Sequence, residues 1–255
     1  VRNCYFHDIS TTGVYAKGGA TDCVIEQNLI VNTGDGGIFL GFDTDLEFFD
    51  TIKNPNHYDC IRGIAQNNII LNTGAAGIGF WGAKDCQAIN NTVITASTNF
   101  HAPLFINHSS MYYGEEPEPS VEMPCEGLQV VNNIFYDNTG TGDEDYTAII
   151  RPMGLVGNNT FNNNCYFKPG KPAQFDIAGE AAVSFSEWKN FVKGEAQSIE
   201  ADPQLNNQFH LGPGSPCIDK GDPSVATMHD YDGNPRNLPK DIGADEFGGQ
   251  PLKTP

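Results

Sequence analysis

Basic residues are scarce in this 255-residue chain. Fourteen Lys and Arg stand against 32 Asp and Glu, a formal net charge of −18 at pH 7. Nucleic acid and anionic membranes are bound through clustered Lys and Arg, so this balance argues against both as partners. A polyanionic glycan is repelled as well, unless a local basic spot or a bound cation offsets the field. No apolar run approaches the length of a membrane span, so no membrane insertion is expected. The seven cysteines contain no Cys-x-x-Cys pair, which removes the usual zinc spacing. No secretory leader is read at Val1, and the first repeat starts in mid-coil. The expectation is a fragment or processed form whose N-terminal cap is missing or lies elsewhere. Its open first coil would then offer an end-to-end or upstream-domain contact.

What the chain does have is a repeat. Arg2-Asn3-Cys4-Tyr5-Phe6, Gln27-Asn28-Leu29-Ile30-Val31, Asn67-Asn68-Ile69-Ile70-Leu71, Asn90-Asn91-Thr92-Val93-Ile94, Asn132-Asn133-Ile134-Phe135-Tyr136 and Asn158-Asn159-Thr160-Phe161 each place Asn before apolar residues. The repeated Asn falls at 3, 28, 68, 91, 133 and 159, in steps of 25, 40, 23, 42 and 26 residues. Removing an insertion of roughly fifteen residues from each long step leaves a period near that of a solenoid. A second apolar patch follows each Asn (Gly37-Ile38-Phe39-Leu40, Gly77-Ile78-Gly79-Phe80), and a third precedes the next one (Cys23-Val24-Ile25, Cys86-Gln87-Ala88-Ile89). Three short strands per period, parted by Gly, Asn, Asp and Thr, exclude helical and leucine-rich solenoids. The remaining solution is an all-β parallel β-helix whose stacked Asn amides bond one another at a bend.

Residues 1–167 are read as coils carrying insertions at 43–59 and 107–124, and 168–255 as a C-terminal cap and tail on the same domain. Ser184 and Glu187 match a capping box, which predicts a short helix over 184–193 with Trp188 and Phe191 on one face. The tail from 201 onward, rich in Pro and Gly, is expected to run back along the outside of the coils. Cys23, Cys60, Cys86 and Cys125 precede the third strands, which predicts a column of buried thiols. A Cys60–Cys86 disulfide is left open.

These features resemble the right-handed parallel β-helix proteins of the pectate-lyase type. The resemblance is carried by the coil pattern, by Phe209-His210-Leu211-Gly212-Pro213-Gly214-Ser215-Pro216-Cys217-Ile218-Asp219, by Asp230-Tyr231-Asp232-Gly233-Asn234-Pro235-Arg236 and by Asp241-Ile242-Gly243-Ala244-Asp245-Glu246-Phe247. It implies a right-handed single-stranded β-helix in a secreted or cell-surface bacterial protein acting on polysaccharide. Polysaccharide lyases, epimerases, glycosidases and proteins without known activity share the fold. No lyase motif is matched residue by residue.

Both insertions leave after the second strand of their coils, either side of a coil with a short connection, Trp81-Gly82-Ala83-Lys84-Asp85. That spacing predicts a cleft over the third coil. Aligned second strands place Lys17, Gly41, Trp81, Asn107 and Arg151 in one column. Trp81 is the expected sugar platform, with Asn107, Lys17 and Tyr112 as further substrate contacts. Elimination on a uronic acid needs a base and a neutralising cation. Lys84 and Arg151 are the base candidates and His108 a further acid–base group, with His57 and His101 near the same corner. Asp43, Asp45 and Glu47, spaced by two, are the expected Ca²⁺ ligands, and Asp35 is a weaker addition. A glycoside hydrolase would instead pair carboxylates such as Asp43 or Asp45 with Glu115 or Glu116 across the cleft. A non-catalytic surface module is the third reading. Asp230-Tyr231-Asp232-Gly233 fails both end positions of an EF-hand loop, so a structural turn is expected there.

Overall fold

The computed structural model describes residues 1–111, 121–139, 148–177, 180–225 and 227–251. They form parallel sheets with one α-helix. The first sheet stacks Tyr5–Ile9, Leu29–Thr33, Ile69–Thr73, Thr92–Ile94, Ile134–Tyr136, Cys165–Phe167 and Ile199–Glu200. The second stacks Val14–Ala16, Ile38–Leu40, Ile78–Trp81, Leu104–Asn107, Ile150–Pro152 and Phe175–Ile177, and ends in the antiparallel strand Glu180–Val183. The third stacks Val24–Glu26, Ile64–Gln66, Gln87–Ile89, Gln129–Val131 and Thr160–Asn162. Each repeat thus gives one strand to each sheet and pairs it in parallel with its equivalent in the next repeat.

Alternation along these short strands decides what is buried. Ile30, Ile70, Val93, Phe135 and Tyr166 follow one another in register and are sealed from solvent. Ile38, Ile78, Leu104 and Ile150 do the same in the second sheet, and Ala65, Ala88 and Val130 in the third. The three files meet in one core.

The Asn repeat resolves into two columns with separate tasks. Asn28, Asn68, Asn91 and Asn133 are fully buried, and each Nδ2 donates to Oδ1 of the next at 3.0 Å. Asn133 continues to Asn164 at 3.1 Å, and the ladder ends on Ser198 Oγ and Glu195. The preceding residues, Asn3, Gln27, Asn67, Asn90, Asn132 and Asn163, all lie at φ between 51° and 62°. Asn tolerates this left-handed region better than most side chains. Two sequence-based positions are therefore corrected. Asn3 belongs to the left-handed column, and Asn159 lies outside the ladder, accepting instead from Leu128 N at 2.9 Å.

The left-handed column points at the tail. Gln27 reaches Asp230 O, Asn67 reaches His229 O, Asn90 reaches Asp241 O and Gly243 O, Asn132 reaches Asp222 O, and Asn163 reaches Lys220 O. Leu205, Phe209, Leu211, Tyr231, Ile242 and Ala244 pack on the outward residues Leu29, Ile69, Leu71, Ile94 and Ile134 of the first sheet.

Helix α1, Phe185–Val192, starts with the capping box: Ser184 Oγ accepts from Glu187 N, and the Glu187 carboxylate accepts from Ser184 N. Its Trp188 is buried, stacked on Phe175 at 5.6 Å and edge-on to Phe161 at 5.4 Å, while Phe191 stays exposed. All seven cysteines are free thiols. Of the four expected in one column, Cys60, Cys86 and Cys125 are buried, but the register divides them: Cys23 and Cys86 precede the strands Val24–Glu26 and Gln87–Ile89, both paired with Ile64–Gln66, whereas Cys60 pairs with Ala20 and Ala83.

Candidate functional site

The two insertions leave strands Ile38–Leu40 and Leu104–Asn107, which flank Ile78–Trp81 in the second sheet. They do not stand apart as walls. Asp59, fully buried at the end of the first insertion, accepts from Gly18 N at 2.9 Å, from Thr44 Oγ1 at 2.6 Å and from Ser109 Oγ of the second insertion. Burial pushes its carboxyl up, against these hydrogen bonds. Asp43 Oδ1 accepts from Ser110 N at 2.8 Å, and Lys17 Nζ donates to Asp43 O at 2.7 Å. The hairpin Ser109–Met111 with Val121–Met123 lies directly on Gly82. A Cβ at Gly82 would stand 2.7 Å from Ser109 Cβ. The described bases of the two insertions thus meet over Gly82, where the spacing predicts an open floor. Tyr112, Glu115 and Glu116 lie outside the described residues.

The expected site residues separate accordingly. Trp81 is 2% exposed, so it presents no face to a sugar. Its register partner Asn107 gives its carbonyl to Gly82 N at 3.2 Å. Lys84 Nζ bonds Glu126 Oε1 at 2.5 Å, and Tyr58 OH donates to the same oxygen at 2.7 Å. Glu126 raises the Lys84 pKa and so holds the ammonium charged, the reverse of what a base needs. Asp43, Asp45 and Glu47 are exposed and do not converge as a ligand set. Asp45 instead precedes a 3₁₀ turn, Leu46–Phe48. Arg151 falls two residues off the predicted column, because it pairs with Phe105 while Trp81 pairs with Asn107.

That shift exposes a different grouping, the outer face of the second sheet. Tyr15, Phe39, Gly79, Phe105 and Arg151 are in register there. Gly79 has no side chain, and the Trp81 ring folds back to fill its place; a Cβ at Gly79 would meet Trp81 Cζ3 at 2.0 Å. Phe42 stacks on Phe39 at 5.6 Å, Tyr15 approaches Phe42 at 5.5 Å, and Lys17 Nζ sits 5.3 Å over the Phe42 ring. His101 stacks on Phe105 with ring centroids 4.1 Å apart. Burial pushes His101 down to about 4, opposed by the Asp35 charge and reinforced by Arg151. Arg151 Nε lies 3.1 Å from Asp176 Oδ2. Tyr15 and Phe100 are exposed, and Phe42, His101 and Arg151 are half-buried. The face therefore carries accessible rings, an uncharged imidazole and a guanidinium.

A pocket of about 280 Å³ borders this face, lined by His108, Glu122, Pro124, Met153 and Leu155. His108 Nε2 is 3.3 Å from Glu122 Oε2, and Met153 packs against the aromatic cluster. Asp176 and the Tyr15–Phe42 pair were not singled out from sequence. Alternation within Gly37-Ile38-Phe39-Leu40 and Pro103-Leu104-Phe105-Ile106 signals which residues face outward, and a two-residue shift of the alignment joins Arg151 to them. No family model matches the chain, and no curated protein matches it.

Proposed function

We propose that the chain is a right-handed single-stranded parallel β-helix of a secreted or cell-surface bacterial protein, and that it binds an extended polysaccharide on the outer face of the second sheet. The observation that carries this is the aromatic file running from Tyr15 and Phe42 to His101, with Arg151 at its end. Aromatic faces stack on the apolar face of a pyranose ring, and a guanidinium recognises a carboxylate or hydroxyl oxygen. Tyr15 and Arg151 stand at the two ends of the file, four strand spacings of about 4.8 Å apart, with the loop residues Phe42 and His101 on the same face, a spread suited to a linear polymer.

The first enzymatic reading is β-elimination on a uronic-acid glycan. His101, uncharged near neutral pH, would take the proton α to the carboxylate, and Arg151, steadied by Asp176, would pair with the carboxylate; the C–O bond to the leaving sugar would break as the C=C bond forms, with water giving the departing oxygen its proton. Lys84 and an ion at Asp43, Asp45 and Glu47 have no part in it. A non-catalytic glycan-binding module is the second reading, favoured by the meeting of the insertions over Gly82. A glycan panel tests both. New ultraviolet absorption from an unsaturated product supports elimination, new reducing ends without it support hydrolysis, and binding without turnover supports the module. Binding that is unchanged in Tyr15→Ala, Phe42→Ala and Arg151→Gln would rule out this face.

A further inference from the structure

The tail gathers charge in its interior. Asp230, Asp232, Asp241, Asp245 and Glu246 are buried, as are the cationic residues Arg236, Lys240 and His210. Arg236 bonds Glu246 Oε2 at 3.3 Å and the carbonyls of Gly243 and Ala244 at 2.8 and 3.0 Å. Lys240 Nζ donates to Thr227 O at 3.1 Å. The five carboxylates outnumber the cations even with His210 protonated. Buried excess charge is costly unless paired or held by a metal.

Three of these groups converge. His210 Nε2 lies 2.6 Å from Asp232 Oδ2 and 3.9 Å from Asp245 Oδ1, and one ligand atom from each residue falls within 4.8 Å of the others. Two ligand atoms around a tetrahedral ion with bonds of about 2.0–2.1 Å stand about 3.3–3.4 Å apart. The two His–Asp distances fall either side of that value. Asp245 is oriented for the task, because its Oδ2 accepts from Leu211 N at 2.8 Å and its Oδ1 turns to His210. His210 Nδ1 is buried and has no hydrogen-bond partner among the described residues, so Nε2 is the ring atom turned to the two acids.

We infer that the tail binds one divalent transition-metal cation, of the zinc class, through His210 Nε2, Asp232 and Asp245. The imidazole ligand selects against Ca²⁺ and Mg²⁺, which take oxygen donors. Three protein ligands leave a fourth position for water. The ligands come from three separate stretches of the tail, so the ion ties them together. Leu211 and Ala244, each beside a ligand, pack on the first sheet, so the same tie presses the tail onto it.

The test uses the whole chain, stripped with chelator and titrated with Zn²⁺, with Ca²⁺ as the control. One Zn²⁺ per chain is expected, together with a higher Tm and no response to Ca²⁺. Co²⁺ in its place should give the intense visible absorption of a tetrahedral N/O site. Asp245→Asn and His210→Gln should each weaken Zn²⁺ binding by more than about tenfold, since even an outer-shell change costs that much. Failure of the wild-type chain to take up Zn²⁺ stoichiometrically overturns the inference, as does unchanged affinity in folded variants. Should neither variant fold, the wild-type stoichiometry and the Co²⁺ spectrum decide the matter.

Discussion

Asn91 Nδ2 donates to Asn133 Oδ1 at 3.0 Å, with both side chains fully buried. The same Nδ2 bonds Ala65 O at 2.8 Å, and Asn91 Oδ1 accepts both N and Nδ2 of Asn68. Asn91→Ala therefore strands several buried groups at once, each costing about 1–3 kcal/mol. A loss of about 3–5 kcal/mol is expected in urea unfolding followed by circular dichroism. Asn159→Ala, outside the ladder, should cost less than about 2 kcal/mol.

Asn90 has the other role. It sits at φ 53° and bonds two tail carbonyls at 3.1 and 3.0 Å. Asn90→Gly keeps the backbone conformation and loses the bonds, for about 1–2 kcal/mol. Asn90→Ala adds about 1 kcal/mol more for the left-handed backbone. Both variants should speed protease cleavage within the tail. Equal stability of the two variants would show that backbone conformation contributes nothing at this position.

Gly79→Ala sets a Cβ against the Trp81 ring and forces the ring out of its slot. Overpacking of this kind costs about 1–3 kcal/mol. The chain has two Trp. In a Trp188→Phe background Trp81 is then the sole reporter, and its emission should shift to the red on Gly79→Ala. An unshifted spectrum would mean that the ring keeps its buried position.

His101 supplies a pH dependence. Burial holds it at about 4 in the folded protein, against 6.5 for the free side chain. Above 6.5 both states are uncharged and the group is silent. As pH falls from 6.5 towards 4 the unfolded chain takes up the proton first, so stability is lost across that window. His101→Phe, which keeps an aromatic ring on Phe105, should reduce the fall in Tm between pH 6.5 and 4 relative to the parent chain. Parallel Tm–pH curves would contradict the assignment.

Periodicity made the three sheets legible, because Ile30, Ile70 and Val93, or Ile38, Ile78 and Leu104, can only be buried by stacking. It made the Asn repeat legible as a ladder but not its division of labour. Adjacent residues such as Asn90 and Asn91 have one chemistry, and only the backbone sends one side chain inward and the other to the tail. The meeting of the two insertions is hidden for a similar reason. Sequence spacing says where loops leave, whereas Asp59 and Ser109 decide that they meet. Arg151 falls two residues from its expected place because the stretch from Tyr136 to Ile150 is longer than its counterparts Thr73 to Ile78 and Ile94 to Leu104, which hides the register of its strand. The meeting of His210, Asp232 and Asp245 spans 35 residues of turn-rich chain with no period to follow.

A stack whose layers touch only their neighbours can lose an end layer and keep the rest. Here Gln27, Asn67, Asn90, Asn132 and Asn163, one from each of five successive layers, are moored to a single strip between Lys220 and Gly243. Peeling that strip away loosens all five together. The molecule should therefore melt as one cooperative body, and trimming its C-terminal end should be felt as far away as Gln27.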